Sequence, residues 1–360
     1  MKILHIHPSM DSGGIEAMIC ALVNEMSKKH DVTLCTIFVN RKNGFENKIS
    51  SRVHRASLGK VHEGFSIKEI FKILRFISRG KFDVVHIHGF FYYYALSVFL
   101  LHKKVKFVYT IHSDAYQENS LWDRKLLRVK KFAFRHSLVC PVTISEASKE
   151  SFERLYRVKS TLVYNGIPPY ECIPPQDIQT FKKRETTKLF FHPGRITEAK
   201  NQVVLCKVFD KLIKEGFDIV LLIAGTLQDK GIWDRMQPYF SDRIIYLGTR
   251  GDVRDIMSTV DAFCLPSVWE GLPVTLLEAL SVGCIPICSS VGGIPEIVTN
   301  GENGFLSSNS SANSYYDAVR MFLDCNNSQI MRMKSNCRQT FENFRIETTV
   351  KKYLSVYNRQ

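Results

Sequence analysis

Short, nearly unbroken apolar runs alternate with longer amphipathic segments along most of the chain. MKILHIH opens it, followed by GIEAMICALVNEMSKKH, in which Ile15, Met18, Ile19, Leu22, Val23 and Met26 recur at the spacing of one helix face. DVTLCTIF, DVVHIHG, KFVYTIHS, SLVCPVTIS and STLVYNGI read as further strands. Between them lie helical patterns near Ser66–Ser78, through Tyr94–Leu101, over RKLLRVKKFAFR and from Glu146. Runs this apolar, separated by helices, predict parallel strands buried on both faces. Ligands of such sheets bind beyond the strands' carboxyl ends, which puts Pro8–Gly14, His86–Gly89, His112–Asp114, Ser145–Glu146 and Asn165–Gly166 in view.

The alternation breaks at GIPPYECIPPQDIQTFKKRETTK, where two proline pairs and a charged tract predict a linker over 168–187. It then restarts with KLFFHPGR, a loop ITEAKN and the helix QVVLCKVFDKLIKEG. DIVLLIAG, a helix near Trp233, RIIYLG, GDVRDIMSTV, AFCLPS and IPICSS continue it, and helical segments ending with Ile346–Tyr357 close it. The expected organisation is an N-terminal α/β domain over 1–167, the linker, a second α/β domain over 188–344, and a last helix over 345–360 packing back on the first domain. A length of 360 residues is enough for two such cores.

Charge changes this picture in one place. The net charge is +14, yet residues 1–170 hold 27 Lys and Arg against 14 Asp and Glu, while the remainder is nearly balanced at 22 against 21. The densest part, Arg124 to Arg135, carries Arg124, Lys125, Arg128, Lys130, Lys131 and Arg135 with no acidic residue. Such a helix either faces anionic lipid headgroups or is the solvated face of a core helix. Nothing in it resembles a nucleic-acid module. The aromatic-rich apolar run Gly89–Leu101 is too short to span a bilayer, and no signal peptide is visible. The ten Cys are scattered without a CxxC pair, as expected of reduced thiols in a cytoplasmic protein.

The candidate chemistry gathers in SVWEGLPVTLLEAL. Glu270 falls in a loop, Pro273 suits a first helical turn, and Glu278 lies one to two turns inside the helix. VGGIPE reads as a Gly-rich turn opening another helix, and Gly13–Gly14 as either a phosphate-cradling helix start or a plain tight turn. The GxGxxG fingerprint of nicotinamide dinucleotides is absent. His5 with His7, and His86 with His88, are two apart on one strand face. Metal ligation and satisfaction of polar groups at a strand end are the two readings.

PGRITEAKN, YLGTRGDV, LPSVWEGLPVTLLEAL and GGIPEIV, in that order after SGGIEAM, VVHIHG, YTIHSD and VYNGIP, resemble the retaining glycosyltransferases of family four. The resemblance implies the GT-B architecture, two facing Rossmann-like doubly wound domains with a cleft between them. It implies that Gly14, Arg195 and Lys200 bind the donor diphosphate, and that Arg250, Asp252 and Glu278 bind the nucleoside, Asp252 having a helix N-cap as its ordinary alternative. Glu270, with the backbone of Gly271 and Leu272, would hold the transferred sugar, and His112 would line the reaction centre.

On that reading the chain is a hexosyltransferase that retains anomeric configuration, using a nucleotide-diphosphate-sugar, uridine favoured over guanosine, with no other cofactor. Preorganised cations would stabilise the departing diphosphate. No Asp-x-Asp triplet is present, so no metal site is assigned. The expected acceptor is a glycan or polyprenyl-linked sugar in surface polysaccharide assembly, such as capsule, O-antigen or exopolysaccharide. Expected partners are an anionic membrane surface and no nucleic acid, with the protein cytoplasmic or peripheral on the inner membrane face. The alternatives are a nucleotide-sugar 2-epimerase on the same scaffold or a non-catalytic nucleotide-sugar binding protein.

Overall fold

The structure, a computed structural model, describes every residue except 12, 40–43, 63, 119, 120, 359 and 360, together with the side chains of 121 and 122. The chain divides into two compact units, Met1–Pro168 with Phe344–Gln360, and Pro169–Asn343.

The first unit is built on seven parallel strands: β1 (Lys2–His7), β2 (Asp31–Phe38), β3 (His54–Lys60), β4 (Val84–Ile87), β5 (Lys106–Ile111), β6 (Cys140–Thr143) and β7 (Thr161–Leu162). Their order is β3-β2-β1-β4-β5-β6-β7, so the winding reverses between β1 and β4. The register sets His5 beside His86 across that junction. Helices α1 (Gly14–Met26), α2 (Ile67–Gly80), α3 (Phe91–Leu101), α4 (Leu121–Lys125), α5 (Leu127–Arg135) and α6 (Glu146–Tyr156) connect the strands. On α1, Met18, Ile19, Leu22, Val23 and Met26 are buried as their spacing predicts, whereas Ile15, in the first turn, is exposed. β3 is largely exposed, which is why no apolar run announces it.

The second unit carries β8 (Lys188–Pro193), β9 (Ile219–Ala224), β10 (Ile244–Tyr246), β11 (Ala262–Leu265), β12 (Ile285–Ser289) and β13 (Phe305–Ser307). They are parallel in the order β10-β9-β8-β11-β12-β13, reversing between β8 and β11. Around them lie α7 (Gln202–Lys214), α8 (Lys230–Met236), α9 (Val253–Thr259), α10 (Val274–Val282), α11 (Ala312–Leu323) and α12 (Asn327–Phe341). β9, IVLLIA, is buried at every position, as a central parallel strand requires.

Three local expectations are corrected. The segment predicted as a linker is packed on the second unit: Ile178 is buried, and the Tyr170 hydroxyl and the Ile173 N–H both donate to Asp255 of α9, at 2.9 and 2.7 Å. Proline pairs stiffen a chain whether or not it is docked, so composition alone does not separate the two cases. Pro273 is the N-cap of α10, in extended conformation, instead of the first helical residue. VGGIPE opens only a three-residue 3₁₀ turn, Ile294–Glu296.

The last helix, α13 (Ile346–Asn358), belongs to the first unit. The Thr349 hydroxyl donates to the Tyr164 carbonyl at 3.0 Å, and a Cβ on Gly166 would come within 2.3 Å of that hydroxyl oxygen. Glycine at 166 is therefore required by close approach. Among the described residues no helix is long and apolar enough to cross a membrane.

Candidate functional site

In the second unit Arg195, Lys200 and Glu270 follow the adjacent strands β8 and β11 at their carboxyl ends, with the loop after β12 beside them, and Arg250 and Asp252 follow the edge strand β10. The loop after β8, Gly194–Asn201, is held from beneath by a buried pair. His192 Nδ1 lies 2.8 Å from the Cys264 carbonyl, so it carries the proton, and Nε2 accepts from the Gln202 amide at 3.2 Å. Burial pushes His192 down to about 4, so it remains neutral. The Gln202 amide also donates to the Arg195 carbonyl at 2.8 Å, fixing the backbone of Arg195 while its side chain stays exposed. Gly225, at the end of β9, has φ +152, and a Cβ there would sit 1.9 Å from the Gly194 carbonyl.

That loop is stitched to the loop after β11. Asn201, in left-handed conformation, donates to the carbonyls of Pro266 and Ser310 at 3.1 and 2.9 Å, and the Val268 N–H donates to Ala199 at 2.9 Å. The stitching brings Lys200 Nζ to 2.6 Å from Glu270 Oε1, and the fully buried Ser267 hydroxyl donates to the same oxygen at 2.6 Å. Two donors on one carboxylate oxygen orient the group and offset the cost of its partial burial. The loop after β12 closes against the same segment. Gly293 N–H donates to Gly271 at 2.7 Å, and a Cβ on Gly292 would meet the Glu270 carbonyl at 2.0 Å. Gly271 is half-buried and Leu272 is buried at the foot of α10.

Glu278, on α10, lies 3.4 Å from Arg254 Nε on α9, and the Arg254 guanidinium lies 5.2 Å from the centre of the Tyr170 ring. Arg250 is clamped between two carboxylates, meeting Asp252 at 2.8 and 2.6 Å and Asp177 at 2.7 Å. Hydrogen bonds from Arg250 hold the Asp252 carboxyl below the usual range, and the pairing raises the already basic Arg250 further. Asp252 occupies the N-cap of α9 but its side chain makes no capping bond; its carboxylate is spent on Arg250. A guanidinium paired this way is held in place from two sides.

In the first unit, β1, β4 and β5 are adjacent, and the residues at their ends form a histidine cluster. His112 Nε2 lies 2.9 Å from His88 Nδ1, and His88 Nε2 lies 3.1 Å from His5 Nδ1. His7 Nδ1 meets the His88 carbonyl at 3.0 Å, and its Nε2 faces Glu16 at 3.4 Å. His86 is taken by hydroxyls on both sides, Tyr357 of α13 and Thr110, each at 2.7 Å. His5, His86 and His88 bring ligand-type atoms within 4.8 Å of one another. His86 has both nitrogens engaged and lies tilted against His88 at 4.1 Å between centroids, so the lone pairs do not converge on one point as a metal triad needs. The cluster is a hydrogen-bonded array.

The backbone N–H of His112 donates to Glu118 at 2.8 Å, and the Tyr109 hydroxyl donates to the other oxygen of that carboxyl at 3.1 Å. Burial pushes Glu118 up to about 7. Gly14 is the first residue of α1, and Glu16 of the same turn folds back so that a Cβ on Gly13 would lie 2.3 Å from its carboxylate.

One assignment is overturned. Lys130, expected on a membrane-facing surface, is 2% exposed; its ammonium lies 4.4 Å from the Tyr109 ring centre and donates to the Tyr109 hydroxyl at 3.2 Å. Lys131 is half-buried and reaches the Leu155 carbonyl at 3.4 Å. Arg124, Lys125, Arg128 and Arg135 are exposed, as is Phe132. The run of six basic residues thus contains one core cation, which charge counting cannot distinguish from the others. Sequence reasoning also missed Ser267, Arg254, Glu118, Tyr353 and Tyr357, none of which carries a local signal.

A family model described as Glycosyltransferase Family 4 matches residues 12–171, and one described as Glycosyl transferases group 1 matches residues 175–340. The chain is similar to the UDP-Gal:alpha-D-GlcNAc-diphosphoundecaprenol alpha-1,3-galactosyltransferase of Escherichia coli, 25% identical over 312 residues, covering 81% of this chain and 79% of the relative. It is also similar to the N-acetyl-alpha-D-glucosaminyl L-malate synthase of Bacillus anthracis, 25% identical over 300 residues, covering 79% and 77%. Among solved structures it resembles Anabaena Alr3699/HepE in complex with UDP-glucose, with a TM-score of 0.80 at 16% identity over 99% of both chains, a likeness of fold. The two family models meet at the proline-rich crossing where the chain passes from one sheet to the next, and the chain belongs to the group 1 glycosyltransferases, enzymes of the GT-B fold.

Proposed function

We propose that the protein moves a sugar, with retention of configuration, from a uridine diphosphate-sugar to a glycan or lipid-linked acceptor in surface polysaccharide assembly. The observation that carries this reading is the Lys200–Glu270 pair at the adjoining ends of β8 and β11. Lys200 would neutralise charge developing on the leaving diphosphate, with the exposed Arg195 beside it in the same loop. Glu270, oriented by Ser267, would accept hydrogen bonds from hydroxyls of the transferred sugar. Glu278 would do the same for the ribose. The departing phosphate would take the acceptor's proton on the face it leaves, so no protein carboxylate need act as nucleophile.

The lipid-linked acceptor is suggested by the name of the E. coli relative, and uridine by that name and by the fold neighbour's ligand. Arg124, Lys125, Arg128, Arg135 and Phe132 would supply a peripheral contact with anionic headgroups. A thermal-shift panel of UDP, GDP and their sugars tests the donor. A ligand at 100 times its Kd stabilises by about 2.7 kcal/mol, so UDP and one UDP-sugar should raise Tm clearly. A flat response to every nucleotide would overturn the reading.

A further inference from the structure

His5, His88 and His112 form a chain whose two ends are bare. His5 Nε2 and His112 Nδ1 are both buried and neither has a hydrogen-bond partner among the described residues. Between those ends lie two ring-to-ring contacts, His5 Nδ1 to His88 Nε2 at 3.1 Å and His88 Nδ1 to His112 Nε2 at 2.9 Å. A neutral imidazole holds one proton, and each N···N contact at this distance needs one donor and one acceptor. If His5 carries its proton on Nδ1, His88 must accept on Nε2 and carry its own on Nδ1. His112 must then accept on Nε2 and carry its proton on Nδ1. Starting from Nε2 of His5 forces all three protons onto Nε2. Any mixed arrangement sets two lone pairs or two N–H groups against each other at about 3 Å.

We propose that His88 is a positioning residue that, together with His5, fixes the tautomer and ring orientation of His112. His112 then presents a preset Nδ1, a donor in one register and an acceptor in the other, to a hydroxyl of the bound sugar or acceptor. That this hydroxyl belongs to a glycosyl substrate rests on the function proposed above; the coupling of the three rings does not. The array stays neutral. Burial pushes His5 and His112 down to about 3 and holds His88 well below its ordinary value, and in either register a proton added to His88 would face the N–H of a neighbouring ring. The ionisable groups that surround the chain are His7 and Glu16 on one side, His86 with Tyr353 and Tyr357 on another, and Glu118 at the His112 backbone. His112 therefore acts as a fixed hydrogen-bonding group, with no titration near neutrality.

Two measurements test this. Long-range ¹H–¹⁵N correlation on the ¹⁵N-histidine-labelled wild-type protein at pH 7 reads the tautomers directly and needs no substrate. His5, His88 and His112 should all carry the proton on the same-named nitrogen; differing tautomers, or a doubly protonated ring among the three, would overturn the coupling. The second measurement compares His88→Asn with His88→Gln. An asparagine amide reaches the place of Nδ1 and keeps the contact with His112, whereas glutamine reaches the place of Nε2 and keeps the contact with His5. His88→Asn should keep most of kcat, and His88→Gln should lose on the order of 10²-fold, as misplacement of a reacting-site group does, with donor KM unchanged in both. Equal losses in the two variants, or losses that follow Tm, would show that His88 only packs the core. If the tautomers agree and no transferase activity is found in the wild type, the array stands and the functional reading fails.

Discussion

Lys200 Nζ and Glu270 Oε1 lie 2.6 Å apart, joining two residues that the sequence places seventy positions apart and assigns to different parts of a donor substrate. Both side chains are mostly buried, at 19% and 11% exposure. Removing either one strands the other's charge. For fully buried pairs that costs about 3–5 kcal/mol, and the partial exposure of Lys200 lowers the expectation to roughly 2–3. Lys200→Ala and Glu270→Ala should each lower the urea midpoint, and the double variant should fall by less than the sum. A coupling energy of about 1–3 kcal/mol in the cycle is the expected result; strict additivity would mean that the pair is not formed in solution.

Glu278 has a different partner and should behave differently. Its neighbour Arg254 is 3.4 Å away, whereas Glu270 pairs with Lys200. Glu278→Ala should weaken UDP binding by roughly 10- to 100-fold, in keeping with about 1–3 kcal/mol for a lost charged hydrogen bond, and leave kcat at saturating donor nearly unchanged. Glu270→Ala should do the reverse, lowering kcat with little effect on UDP itself. Calorimetry with UDP beside steady-state kinetics separates the two, and identical profiles would sink the division of roles.

The basic segment after Asp123 separates into two experiments for the same reason. Lys130 lies against Tyr109 in the core, so Lys130→Met should destabilise the fold by about 2–5 kcal/mol without a specific effect on vesicle binding. Arg124, Arg128 and Arg135 are exposed, and reversing all three to Glu should leave the unfolding free energy from urea melts within about 0.5 kcal/mol. Cosedimentation with vesicles rich in anionic lipid should fall for the triple reversal. Undiminished binding would move the membrane contact elsewhere. The exposed face of α2, with Ile67, Phe71, Lys68, Arg75 and Arg79, is the next surface to reverse.

What was legible in the sequence follows the reach of each physical signal. Buried parallel strands such as IVLLIA are apolar throughout, so they announce themselves, while the exposed edge strand HRASLGK does not. Motif loops placed Lys200 and Glu270 at strand ends because loop position follows from strand order, and helical spacing placed Glu278 inside the helix that follows. Their pairing was hidden because it depends on Asn201 bonding to Pro266 and on Val268 bonding to Ala199, contacts between segments more than sixty residues apart. Lys130 was misread because a helix's basic count says nothing of which side faces the sheet. The histidine pairs were visible as pairs; that β1, β4 and β5 are neighbours, and so bring His5, His88 and His112 into one chain, is a property of the topology.

Glu118 gives the fold a pH dependence whose sign can be worked out. Its carboxyl, at about 4.5 when the chain is unfolded, is pushed up to about 7 by burial, with the nearby Lys130 opposing that rise only in part. Between those values the folded state holds a proton that the unfolded state has released, so stability falls as pH rises. The contribution of Glu118 is therefore fully present below about pH 4.5 and lost as pH passes about 7. The buried histidines act in the opposite sense. His5 and His112, pushed from 6.5 to about 3, stabilise above the unfolded value and lose that contribution as pH falls toward 3. They outnumber the single carboxyl, so the wild type should lose stability on acidification even though Glu118 opposes the loss. Glu118→Gln isolates the carboxyl: it can accept from the His112 N–H and no longer titrates. The difference in unfolding free energy between wild type and Glu118→Gln should shift toward the wild type by on the order of 1–3 kcal/mol between pH 7.5 and 4.5. Urea melts at four or five pH values measure it, and a difference that does not change with pH would mean that Glu118 titrates normally in the folded protein.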